Sequence, residues 1–156
     1  MSKLGLIWVG RENRRDPETE ICVRYRTRIL GFAKLEELVI KPVKAGGEDV
    51  VRRQEGQRIL DALDPRDYLI LCDERGNQET SPGFASLLGR IERQARRPVL
   101  VIGGAMGVSD ALRQRANFVL SLSKMTLPHA LARVVLLEQV YRAFTIKAGH
   151  PYHHEG

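Results

Sequence analysis

The stretch PVLVIGG, residues 98–104, is apolar at every position until its two glycines. A strand with one wet face alternates apolar and polar residues, so a run with no polar position must be covered on both faces. YLILCD, residues 68–73, reads almost the same way. Working outward, LGLIWV (4–9), KLEELVIKPV (34–43, ended at Pro42) and NFVLSLS (117–123) complete five strands. Helical patterns fill the intervals. Pro17 opens a helix over 18–30, with Ile21, Val23, Tyr25 and Ile29 for packing and arginines on the wet side. Residues 49–63 form a second helix around Val50, Val51, Ile59 and Leu60. Ser81 and Ser109 are the expected N-caps of helices over 81–97 and 109–116. ERGN, residues 74–77, reads as a turn. Alternating strands and helices predict an α/β fold, a mostly parallel sheet flanked by helices in a single domain over 1–156.

SKMTLPHALARVVLLEQVYRAF, residues 123–144, adds a last, long helix. Leu131, Val134, Val135, Leu136, Leu137, Val140, Tyr141 and Phe144 point in almost every direction at 3.6 residues per turn. A surface helix carries one apolar stripe, so this one needs cover on more than one side.

The 156 residues suffice for one hydrophobic core, and 43% apolar with 28% charged residues describes a folded, water-facing chain. No apolar run is long enough to span a bilayer, and the first residues enter a strand directly, without the pattern of a signal peptide. Cys22 and Cys72 have neither metal-type nor redox-type spacing, which points to a reducing, cytoplasmic setting. Lys and Arg number 25 against 19 Asp and Glu, a net charge of +6. Arg11, Arg14, Arg15, Arg24, Arg26 and Arg28 lie close together in sequence. A basic group of this kind suits a polyanionic partner, although a solvated basic surface has the same composition.

Ligands of open parallel sheets collect beyond the carboxyl ends of the strands. Three loops fall there: 71–76, 103–107 and 122–127. The glycines of IGGAMG let a ligand approach the backbone, but the spacing matches neither a dinucleotide fingerprint nor a Walker A loop. A plain turn has the same sequence. LSKMTLPH, residues 122–129, offers hydroxyls and backbone groups for a purine edge, and Leu122, Met125 and Leu127 for its face. The alternative is a strand-to-helix connection in which Thr126 caps and Pro128 starts the helix.

VLVIGGAMGVS, LSLSKMTLPHALARVVLLEQVYRAFTI and the ending HPYHHEG together resemble the bacterial 23S rRNA (pseudouridine) N3-methyltransferases. These are the small stand-alone members of the knotted SPOUT class of S-adenosylmethionine enzymes. The resemblance covers the chain by length and element order and is strongest over 99–155. It implies a deep C-terminal trefoil knot, a homodimer with cofactor sites beside the subunit interface, and 23S rRNA in the large ribosomal subunit as substrate. It places the S-adenosylmethionine contacts on Cys72, Gly103, Leu122, Ser123, Lys124, Met125, Thr126 and Leu127. Cys72 departs from the leucine that relatives often carry.

Methyl transfer from a sulfonium needs alignment and exclusion of water, and the imide nitrogen must lose its proton. His129, Glu138, Arg142, Tyr152 and His153 are the candidate catalytic residues. His129 serves equally well as an anchor for the cofactor loop. Glu138 and Arg142, four apart on one helix face, also suit a structural ion pair. The tail reads either as a frayed end or, by the resemblance, as a surface that stacks on a base and meets phosphates. His154 stands where relatives carry Arg or Lys. A metal site from His150, His153 and His154 is not expected, because no helical i, i+4 pair holds them. Two other functions fit the same residues: a SPOUT enzyme acting on tRNA, and a dimeric RNA-binding or ribosome-associated factor without catalysis.

Overall fold

The computed structural model describes residues 2–154. Its elements in chain order are β1 (Ser2–Val9), α1 (Pro17–Ile29), β2 (Ala33–Ile40), α2 (Glu48–Asp61) and β3 (Tyr68–Gln78), followed by α3 (Ser81–Arg93), β4 (Pro98–Ile102), α4 (Asp110–Arg115), β5 (Phe118–Ser121) and α5 (His129–Lys147). The strands form one sheet in the order β2-β1-β4-β3-β5, and every pairing is parallel. β4 is the central strand and all its residues are buried, which is why it tolerates no polar position. β2, at one edge, alternates buried or half-buried with exposed residues.

Successive side chains of a strand point to opposite faces. Leu100 and Ile102 of β4 therefore join Leu6, Trp8 and Ile70 in one core, against Cys22 and Ile29 of α1, Phe84 and Leu88 of α3, and Leu136, Leu137 and Val140 of α5. Val99 and Val101 face the other way and pack with Ile7, Leu69 and Leu71 against Ile59 of α2 and Leu112 of α4. α5 packs against both α1 and α3, so its cover comes from two helices and the sheet. Its first turns stay more open: Leu131 is exposed and Val134 and Val135 are half-buried.

Four local readings are corrected. Thr80, not Ser81, caps α3, its Oγ1 accepting from the Gly83 N–H at 3.0 Å. The Ser81 hydroxyl instead donates to Gln139 Oε1 at 2.6 Å and ties α3 to α5. Ile21 and Val23 do not pack inside. The buried positions of α1 are Thr19, Cys22 and Ile29, and both apolar neighbours lie off that stripe, exposed. Thr126 does not cap α5, whose N-cap is Pro128 with no side-chain hydrogen bond. ERGN is not a turn between elements but part of β3. Cys72 and Asn77 both pair with Leu120, so residues 73–76 bulge out of the ladder.

At the opposite end of the strands, Arg97 closes a fork on the buried Asp67. Its Nε donates to Oδ1 at 3.0 Å and its Nη2 to Oδ2 at 2.8 Å, and the Asp64 N–H donates to Oδ2 at 2.8 Å. Burial raises the Asp67 pKa, but Arg97, the Asp64 amide and Arg115 outweigh it and hold the carboxyl below its ordinary value. The resulting stabilisation is present above the usual carboxylate range and is lost as pH falls through the lowered pKa. Asp67→Ala is expected to cost about 2–3 kcal/mol, because Arg97 keeps only its longer contact to Glu36 and the Asp64 N–H loses its acceptor. Urea unfolding should show that gap at pH 7, a smaller gap at pH 3, and unchanged activity per folded molecule. An equal gap at both pH values would contradict the ion-pair account.

Candidate active site at the carboxyl ends of the strands

Three loops converge where the sheet ends: the β3 bulge, the glycine loop after β4, and residues 122–127 after β5. They enclose a cleft of about 440 Å³. Cys72, Gly103, Leu122, Ser123, Met125, Thr126 and Leu127 all line it, whereas Lys124 is exposed and does not. Side-chain oxygens hold the last loop in shape. The Ser121 hydroxyl donates to the Ser123 carbonyl at 3.0 Å, and the Met125 N–H donates to Ser123 Oγ at 3.0 Å. Thr126 Oγ1 donates to Glu74 Oε2 at 2.6 Å and staples this loop to the bulge.

Gly103 is required by close approach. A Cβ there would lie 2.6 Å from Val108 Cγ1 and 3.3 Å from the Gly107 carbonyl. Gly107 reverses the chain with φ +87, a conformation open to glycine, and its N–H closes a turn on the Gly104 carbonyl at 3.0 Å. Burial, then the neighbouring Asp73 carboxylate, pushes the Cys72 thiol up to about 12. It is therefore a neutral wall of the cleft and no nucleophile. Asp73, whose side chain is only 8% exposed, pairs with Arg113, and both line the cleft with Glu74. Nothing in their own sequence pattern singles these three polar residues out, although Asp73 and Glu74 fall inside the 71–76 loop.

The five catalytic candidates divide into two places. His129, the first residue of α5, lines the cleft. Glu138, Arg142, Tyr152 and His153 meet further along the helix. Arg142 Nε donates to Glu138 Oε1 at 2.8 Å, and Arg142 Nη1 lies 3.1 Å from His153 Nδ1. The Tyr152 hydroxyl donates to the same Glu138 oxygen at 3.2 Å, and its ring meets Tyr141 edge-on at 4.7 Å. Tyr152 and His153 are half-buried, so this part of the tail is docked rather than frayed; residues 155–156 lie outside the described residues. Burial, Tyr25 and the Glu138 carboxylate all raise the Tyr152 pKa, which keeps the phenol a proton donor. At 1.5 Å per residue, Glu138 stands about 14 Å along α5 from His129, so one chain does not bring the two groups together. No cluster of metal-ligating side chains exists among the described residues, His150, His153 and His154 included.

A family model described as "Predicted SPOUT methyltransferase" matches residues 2–153. The chain belongs to the SPOUT methyltransferase family. Curated relatives agree over nearly the whole length. A Ribosomal RNA large subunit methyltransferase H from Gloeobacter violaceus is 40% identical over 97% of this chain and 99% of its own. Proteins of the same name from Desulfovibrio desulfuricans and Geobacter sulfurreducens are 47% and 44% identical, covering 86% and 97% of this chain and 87% and 99% of their own. The methyl donor of SPOUT methyltransferases is S-adenosylmethionine, and the cleft suits it. Its volume lies in the range of small-molecule sites, with apolar walls from Ile102, Val108, Leu122 and Leu127, hydroxyls at Ser123 and Thr126, and a glycine loop that admits close approach. Among the described residues, no helix of this SPOUT methyltransferase is long and apolar enough to cross a membrane.

Proposed function

We propose that this chain is one SPOUT domain that works as a homodimer in the cytoplasm and methylates N3 of a pseudouridine in 23S rRNA of assembled large ribosomal subunits. The observation that carries this reading is the cleft itself: seven of the eight residues named for the cofactor line one cavity beneath the N-terminus of α5. The names of the relatives supply the substrate class. Arg11, Arg14 and Arg15 are exposed to RNA phosphates, as are Arg24, in an exposed pair with Glu20, and Arg28, over the Tyr25 ring, whereas Arg26 is held by Glu12 and Glu37. From β5 at the sheet edge, the chain continues through 122–127 to α5, which packs on α1. We read that crossing as the knot.

When bound, S-adenosylmethionine supplies an electrophilic methyl group on a sulfonium. Leu122, Leu127, Cys72 and the Gly103 loop hold the donor and exclude water; Ser123, Met125 and Thr126 shape its loop, with Lys124 at the rim. His129, on the cleft wall, takes the imide proton or anchors the loop that orients the base. Glu138 fixes Arg142 and receives the Tyr152 hydroxyl, leaving a cationic and aromatic surface with His153. The distance of that surface from its own cleft favours a dimer, in which the partner's tail docks the RNA. The exposed Leu131, Ile21 and Val23 are apolar surface for such a contact.

Purified protein and methyl-labelled donor should label large subunits from a strain that lacks this methyl group, and leave tRNA unlabelled. Labelled tRNA would redirect the substrate assignment. Cofactor binding without transfer to any RNA would leave the non-catalytic reading.

A further inference from the structure

A second cavity of about 380 Å³ lies next to the cleft and shares Ile102, Gly104, Ala105 and His129 with it. Its lining includes two buried charged residues whose hydrogen-bonding capacity the fold leaves partly unmet. Glu55 is only 3% exposed and Arg133 only 4%. Glu55 Oε2 accepts from the Val43 N–H at 3.0 Å, but its other oxygen, Oε1, is buried without a hydrogen-bond partner among the described residues. The Arg133 guanidinium lies 3.9 Å over the Trp8 ring and beside the Cys22 thiol, and its Nε and Nη1 are buried with no oxygen acceptor among the described residues. An unpaired acceptor and unpaired donors cost stability when buried, unless something else completes them. Arg11 and Lys44 stand among the exposed lining residues, beside Asp16 and the half-buried Glu18.

We propose that this cavity receives the flipped target base, with Glu55 accepting from a ring N–H and Arg133 donating to a ring carbonyl. The proposal rests on the pseudouridine reading above. An enzyme that modifies a base inside a folded RNA must extrude it into a pocket. A pyrimidine dione presents N–H groups flanked by carbonyls, which is the complement of one carboxylate oxygen and one guanidinium. Pseudouridine has two ring N–H groups where uridine has one. With N3 turned toward the shared wall at Gly104 and His129, N1–H is left for Glu55, and uridine offers only C–H there. Glu55 thereby becomes the residue that tells pseudouridine from uridine. Its Oε1 lies directly against the glycine loop, because a Cβ on Gly104 would collide with it. The unpaired atoms are buried just behind the cavity lining, so a seated base reaches them only if side chains of that lining give way.

Glu55→Gln tests this with little change of shape. The amide oxygen can still accept from Val43, while the amide nitrogen replaces the free acceptor by a donor. Trp8 lines the cavity and is the only tryptophan, so its fluorescence reports occupancy. Pseudouridine monophosphate should change Trp8 emission in the cofactor-loaded wild type, uridine monophosphate should do so only at much higher concentration, and Glu55→Gln should lose the difference. In parallel, kcat/KM for methyl transfer to large subunits should fall about 100-fold in Glu55→Gln, with donor affinity unchanged. Transfer that is normal in Glu55→Gln, or emission that ignores both nucleotides, overturns the pocket and leaves the methyltransferase reading intact. A Glu55-dependent nucleotide response without transfer to any RNA supports the pocket and overturns that reading.

Discussion

Gly103→Trp abolishes S-adenosylmethionine binding in a protein that remains folded. Position 103 ends the central strand's excursion into the cleft, and even one added carbon meets Val108 Cγ1 at 2.6 Å. An indole has no place behind the loop, so it pushes the 103–108 segment into the space the donor needs. Overpacking of this size costs about 1–3 kcal/mol, which the α/β core can sustain. Calorimetric titration should give no heat with Trp at 103, and an affinity about tenfold weaker with Ala, where the Val108 side chain can yield. Circular dichroism should be unchanged in both. Undiminished affinity in the Trp variant would move the donor out of this cleft.

Deleting residues 152–156 removes methyl transfer and spares both fold and donor binding. The described part of this tail adds an edge-on aromatic pair with Tyr141, a hydrogen bond to Glu138 and the contacts of Tyr152 and His153 with Arg142, all at a partly exposed surface. Loss of such a pair is worth about 1 kcal/mol, or about 2–4 °C in Tm for a chain of this size. Turnover should fall by about 100-fold or more, because Arg142 loses the Tyr152 ring stacked 4.8 Å from it and the His153 nitrogen that fix its direction. Donor affinity should stay within about twofold, since neither residue touches the cleft. Retained turnover would reduce the tail to packing.

The apolar runs at 68–73 and 98–104 made the parallel sheet legible, because a strand covered on both faces leaves no polar position. The cleft was legible too, from loop positions beyond strand ends and from the resemblance carried by residues 122–129. What escaped was set by tertiary contact. Thr80 and Ser81 are both capable caps, and only Gln139, 58 residues after Ser81, separates their roles. Nothing local in ERGN announces a bulge, which is defined by the partner Leu120. Glu55 and Arg133 did leave a trace. Glu55 stands four residues from both Val51 and Ile59, on the buried face of α2, and Arg133 shares the buried face of α5 with Leu136, Leu137 and Val140. A charge at an apolar-stripe position of a helix is the sequence mark of a buried polar group.

The central claim is that this cleft directs a methyl group to N3 of a pseudouridine in 23S rRNA. Mass spectrometry of nuclease fragments from labelled large subunits tests it most directly. The account predicts one labelled nucleotide, a pseudouridine carrying the methyl on N3, absent from reactions with Gly103→Trp. A label on any other nucleotide or on another atom of the ring, or a label that persists in Gly103→Trp, would contradict it.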